Sequence, residues 1–270
     1  MMISDELKKV RKQVVLGGDS PPHIFAVVTW GCAASSWLAR ALNSHPDIFC
    51  VHAENSLWSV LGEARYLDGA EYLTVVGCQG CTHTAAGDVH GVSRHTVPEI
   101  KAEFGEQFSC AVVVREPISR LHSQLSLFKK RQHLRSWNLD YLEDTIKKLA
   151  LPNDSYPTHL FVHGVNMLNA IVEEHLIAPV YRSEDLTSNP EILCKFVDHI
   201  TNGKIEVDLP WATTSVSREK LNAHSESAVR SLNPESSNLE DWQMETIRKV
   251  VLPQAWELYQ KLNYPIPNFI

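Results

Sequence analysis

The sequence predicts an α/β fold, a single domain with a central, mainly parallel sheet flanked by helices, and three observations carry that expectation. Apolar, β-branched runs of strand length recur along the chain, segments of helical period follow them, and 270 residues with 44% hydrophobic content can bury one sizeable core.

HIFAVVTW, residues 23–30, is nearly unbroken in its apolar character, as expected for a strand covered on both faces of a parallel sheet. Trp37, Leu38, Ala41 and Leu42 then recur at helical spacing, with Ser35 or Ser36 available as N-cap and the helix stopping near His45-Pro46. CAVVV, residues 110–114, is a second buried strand that ends at Arg115. Pro117 suits the first turn of the helix that follows, whose apolar face is Ile118, Leu121, Leu125 and Phe128. Helical patterns cover 138–150 and 158–175, LIAPVY at 176–181 reads as a third strand, and a helix is expected from Pro190 to Ile200. The polar stretch 201–238 reads as loop with short helix, covering a substrate or cofactor. A final amphipathic helix is expected over Leu239–Leu262, kinked at Pro253. Residues 1–22 form an N-terminal extension, a short amphipathic helix closed by a Gly/Pro break, and the domain is expected to span 1–270.

A net charge of −7 argues against a protein that grips nucleic acid across its surface. No apolar run is long enough for a signal peptide or membrane span, so a cytoplasmic location without membrane contact is expected. The six cysteines are scattered and read as reduced thiols. Cys78 and Cys81 form C-x-x-C with His83 beyond, but zinc needs a fourth ligand that no second such motif supplies, so no metal is expected.

Between the first strand and helix lie Gly31, Cys32, Ala33, Ala34, Ser35 and Ser36. Small residues there let successive backbone N–H groups point into one concavity at the positive end of a helix dipole, a nest that binds an anion without a charged side chain. The same segment also reads as a plain turn with small residues for packing. The G-x-x-x-x-G-K-S/T pattern of an ATPase is absent. In VVVREPISRLHSQ, residues 112–124, Arg115 sits at the carboxyl end of a strand, where open α/β sheets bind ligands, and Arg120 and Ser123 follow in the next helix. An arginine fork and a serine hydroxyl make a second anion pocket, unless Arg115 pairs with Glu116.

These stretches resemble the sulfotransferases that use 3'-phosphoadenosine 5'-phosphosulfate (PAPS). TWGCAASSWL, residues 29–38, lies over the family's T-Y-P-K-S-G-T-T-W-L. Arg115 with Ser123 fits the R-x-P arginine and the serine eight residues on, and VYRSEDLTSNP at 180–190 is similar to R-Y-E-D-L-x-x-x-P. The resemblance implies a P-loop-like nucleotide-binding core in which 31–36 hold the 5'-phosphosulfate, Trp37 packs on the adenine, and Arg115 and Ser123 hold the 3'-phosphate. Arg218 and Lys220 are candidates for closing over that phosphate. Two departures stand out: Cys32 replaces the loop Lys or Arg, and Ser183 stands where the third motif has Tyr.

In-line sulfuryl transfer needs a base for the acceptor proton and positive groups for the charge on the leaving phosphate. His52 and Glu54, in HPDIFCVHAENSLW, are candidates by position after the first helix. His90 in GDVHGVSRH is the nearest equivalent of the family's histidine. The expected activity is transfer from PAPS to a hydroxyl or amine of a small-molecule acceptor, leaving 3'-phosphoadenosine 5'-phosphate (PAP). A catalytically inactive nucleotide sensor or scaffold and a degenerate P-loop kinase remain as alternatives.

Overall fold

β1 (His23–Thr29) is buried at every residue, as its uninterrupted apolar run requires. It is the central strand of a five-stranded, all-parallel sheet whose order is β2-β3-β1-β4-β5, the others being β2 (Ile48–His52), β3 (Ala85–Val89), β4 (Phe108–Val114) and β5 (Val180–Arg182). The computed structural model describes residue 6 and residues 8–17, 20–30, 32–52, 69–130, 142–151, 156–217 and 239–270. Its helices in chain order are α1 (Ser35–Leu42), α2 (Gly69–Gln79), α3 (Val97–Phe104), α4 (Pro117–Lys130), α5 (Glu143–Lys148), α6 (Tyr156–Asn166), α7 (Ile171–Ile177), α8 (Ser183–Leu186), α9 (Pro190–Ile200), α10 (Leu209–Ser217), α11 (Asp241–Val250) and α12 (Pro253–Lys261).

The chain forms two compact units, residues 1–114 with 175–222 and residues 115–174 with 223–270. The first holds the sheet. The connection leaving β1 runs past β3 to β2, whereas those leaving β3 and β4 run the other way, so the direction of winding reverses beside β1. In open parallel sheets, ligands bind outside the carboxyl ends of the strands at such a reversal. Beneath it, Phe25 and Val27 join Trp37, Leu38, Leu42, Phe196, Val197 and Ile200 in one buried cluster, which fixes α1 and α9 on the sheet. Gly87 of β3 has no room for a side chain, since a Cβ would lie 2.3 Å from the Phe25 carbonyl oxygen.

The N-terminal segment enters a π-helical turn at Arg11–Val15 and is anchored through Arg11, which is 3% exposed. Its Nε donates to Thr74 Oγ1 at 2.8 Å, its guanidinium pairs with Glu103 at 2.5 Å, and its Cζ lies 5.2 Å from the Phe104 ring centroid. We expect Arg11→Ala to cost about 2 kcal/mol, because it empties a buried site over Phe104 and removes the donor to Thr74, while the exposed Glu103 is rehydrated. A urea midpoint equal to that of the parent protein would show that this anchor contributes nothing.

In the second unit, Phe161 of α6 packs edge-on against Trp242 of α11 at 5.2 Å, and the buried Tyr259 of α12 donates to the Leu168 carbonyl at 3.2 Å.

Several boundaries differ from the sequence expectation. β4 begins at Phe108, two residues early. The run 176–181 is not one strand: α7 continues through Ile177, Leu176 is 76% exposed, and only Val180–Arg182 pair with β4. The last helix is two helices. Pro253 starts α12 because proline fits a helix's first turn but would sacrifice a hydrogen bond inside one. Asn169 bridges the break, donating to the Val250 carbonyl at 2.9 Å and accepting from the Leu252 N–H at 2.8 Å. Of the pattern expected over 138–150, the described helix is Glu143–Lys148.

Candidate active site

The chain leaves β1 through Thr29 and Trp30 and turns sharply into α1. Cys32 (φ 72°) and Ala34 (φ 60°) both occupy the left-handed region, at a cost on the order of 1–3 kcal/mol each for a residue with a Cβ. Ala34, not Ser35 or Ser36, is the residue that caps α1, and no side chain caps it. The first bond of α1 is Leu38 N–H to the Ala34 carbonyl, at 2.9 Å, so the N–H groups ahead of it fall outside the helical ladder. Ser35 does not cap because it is already helical and its hydroxyl meets His52 Nε2 at 3.1 Å.

His52 ends β2, opposite Val89 of β3, and its ring stacks on that of the next β3-side residue, His90, at 5.6 Å and 24°. His90 is itself left-handed (φ 84°), its N–H donates to the Val27 carbonyl at 3.0 Å, and its Nδ1 lies 2.7 Å from the Thr29 carbonyl oxygen. A carbonyl only accepts. Nδ1 therefore carries the proton, and in the neutral imidazole Nε2 holds the lone pair, the form a general base requires.

Two residues earlier, Asp88 is wholly buried. Tyr72 Oη donates to its Oδ2 at 2.6 Å, and the Gly91 N–H donates to its Oδ1, spanning the turn that carries His90. Burial pushes this carboxyl up to about 7 despite both hydrogen bonds. The thiol of Cys50, on neighbouring β2, is pushed up as well, by burial and by Asp88. Further along the same exit loop, Arg94 places its Cζ 5.1 Å from the Trp30 ring centroid.

The first unit thus brings Cys32, Ala33, Ala34, Ser35, Ser36, His52 and His90 to one edge of the sheet. Trp37, expected against the adenine, is 8% exposed and belongs to the buried cluster beneath the loop. Gly31, Glu54, Arg218 and Lys220 lie outside the described residues. Arg115 and Ser123, both half-buried, belong to the second unit. There the Glu116 carboxylate accepts from the Ile118 N–H at 3.0 Å and the Ser119 N–H at 2.5 Å, so the first turn of α4 already holds an anion of its own. Arg120 is 5% exposed, and its charge faces His163 and Tyr259, so it is an interior residue of that unit. Ser183, 5% exposed, starts α8.

Sequence reasoning missed Asp88, Tyr72 and Arg94. GDVHGVSRH displays Asp88 and Arg94 within four residues of His90, and that proximity is the signal that could have raised them. All six cysteines are free, with Cys78 half-buried and Cys81 exposed. Among the described residues no group of three or more His, Cys, Asp or Glu is placed to hold a metal ion. No described helix is long and apolar enough to cross a membrane.

The class that this fold defines is a parallel α/β protein whose winding reverses beside its central strand. Among solved structures, a sulfotransferase from Alicyclobacillus acidocaldarius is similar, at 14% identity and a TM-score of 0.48, over 92% of this chain and 98% of that one. No protein-family model matches the sequence, and no curated protein matches it.

Proposed function

We propose that the protein is a sulfotransferase that moves a sulfuryl group from PAPS to a hydroxyl or amine of a small, soluble acceptor in the cytoplasm. The observation that carries this reading is His90: a histidine whose Nδ1–H is fixed on the Thr29 carbonyl, leaving Nε2 as the acceptor, beside a strained strand-to-helix loop at the carboxyl edge of the sheet. In this reading the acceptor oxygen or nitrogen attacks sulfur as the bond from sulfur to the 5'-phosphate oxygen breaks. His90 Nε2 takes the acceptor's proton, and PAP leaves with the electron pair. The N–H groups and hydroxyls of residues 32–36 receive the 5'-phosphosulfate, and His52 holds Ser35 in place. By the sequence resemblance alone, Arg115 and Ser123 are the residues proposed for the 3'-phosphate, with Arg218 and Lys220 as further candidates.

Calorimetric titration with PAP, ADP and ATP tests the donor. We expect PAP to bind at least about tenfold more tightly than ADP, since an arginine–phosphate contact is worth roughly 2 kcal/mol. Equal affinity for all three would remove the 3'-phosphate site. Tight PAP binding with no sulfuryl transfer from PAPS across an acceptor panel would instead indicate a sensor.

A further inference from the structure

We propose that Arg94, held over Trp30, is the cation of the phosphosulfate loop and takes the place of the charged side chain that Cys32 does not supply. The inference rests on the sulfotransferase reading and deepens it. Residues 32–36 carry no charged side chain, yet sulfuryl transfer puts negative charge on the leaving 5'-phosphate. Two contacts lay the exit loop of β3 on the exit of β1: His90 Nδ1 donates to the Thr29 carbonyl at 2.7 Å, and the Arg94 Cζ sits 5.1 Å from the Trp30 centroid. Trp30 is the residue from which the anion loop departs. A guanidinium placed over an aromatic ring is held there by its charge, and its in-plane N–H fork is the geometry that suits phosphate oxygens. Arg94 is half-buried, which limits its motion without removing it from water, and the 3₁₀ turn it begins is fixed by Ser93, whose hydroxyl accepts from the His95 N–H at 3.4 Å. The base and the cation thus come from one short loop, four residues apart.

Calorimetry on the full chain with two probes tests this, PAP and adenosine 3'-monophosphate, which lacks the 5'-phosphate. Arg94→Ala is expected to weaken PAP about tenfold to a hundredfold while adenosine 3'-monophosphate binds as it does to the parent protein. Arg94→Gln, which keeps a planar side chain without the charge, serves if the alanine variant does not fold and is expected to show the same selective loss. Trp30→Phe is expected to shift PAP in the same direction by less. Equal PAP affinity in the Arg94 variants overturns the proposal while leaving the sulfotransferase reading standing, and parallel loss of both probes overturns it by making Arg94 a structural clamp. A parent protein that binds neither probe overturns both readings.

Discussion

His90→Asn is expected to lower kcat by about 100- to 10,000-fold and to leave PAP affinity within about twofold. Asparagine is the informative replacement because its side-chain amide can donate to the Thr29 carbonyl as Nδ1–H does, and it tolerates the left-handed backbone that His90 adopts. What it lacks is the Nε2 lone pair. His52→Ala removes the contact with Ser35 and is expected to raise KM for the donor more than it lowers kcat. Single-turnover rates of the two variants separate these roles. Near-normal turnover in His90→Asn together with a dead His52→Ala enzyme would transfer the role of base to His52.

Asp88→Asn is expected to stabilise the protein at alkaline pH and to change little in acid. The folded carboxyl is raised to about 7 by burial, so between the unfolded value of 3.8 and that point the folded state holds a proton the unfolded chain has lost. Stability then falls as pH rises through this window, by roughly 4 kcal/mol once Asp88 is fully ionised. His23 has the opposite sign. Wholly buried at the start of β1, with Nε2 at 2.8 Å from Ser109 Oγ, it is lowered to about 4, mainly by burial and then by Lys204. Its contribution is present above the unfolded value of 6.5 and is lost as pH falls towards 4. Across pH 4 to 6.5 the two groups exchange one proton each in opposite senses, and their slopes cancel. Chemical denaturation at pH 5 and pH 8.5 reads this directly. A gain from Asp88→Asn that is the same at both pH values would refute the assignment.

How far the sequence reached depended on range. β1, α1 and α9 were legible because a seven-residue apolar strand and a helical stripe are local patterns, and α9 runs from Pro190 to Ile200 as expected. The α1 cap was missed because a serine at the loop–helix junction looks like an N-cap, whereas the Ser35 hydroxyl is drawn to His52, 17 residues away in sequence. LIAPVY misled because apolar residues at a helix's end and on a short edge strand look continuous. His52 and His90 were legible as candidates, but their order was not. The order proposed above turns on one hydrogen bond spanning 61 residues, to a carbonyl that no side-chain pattern reveals. The environment of Asp88 and the role proposed for Arg94 come wholly from what folding puts beside them, Tyr72 and Trp30.

Among the described residues of the loop, the two left-handed ones are cysteine and alanine, where glycine would relax the backbone. Glycine would also widen the range of shapes available to the empty loop. With a Cβ at Cys32 and Ala34 the left-handed backbone is disfavoured locally, so the shape seen is imposed by the packing of β1 and α1 on either side of the loop. The strain is therefore met by folding, and under the proposed function an anion that hydrogen-bonds the loop's N–H groups would add to the forces that hold it.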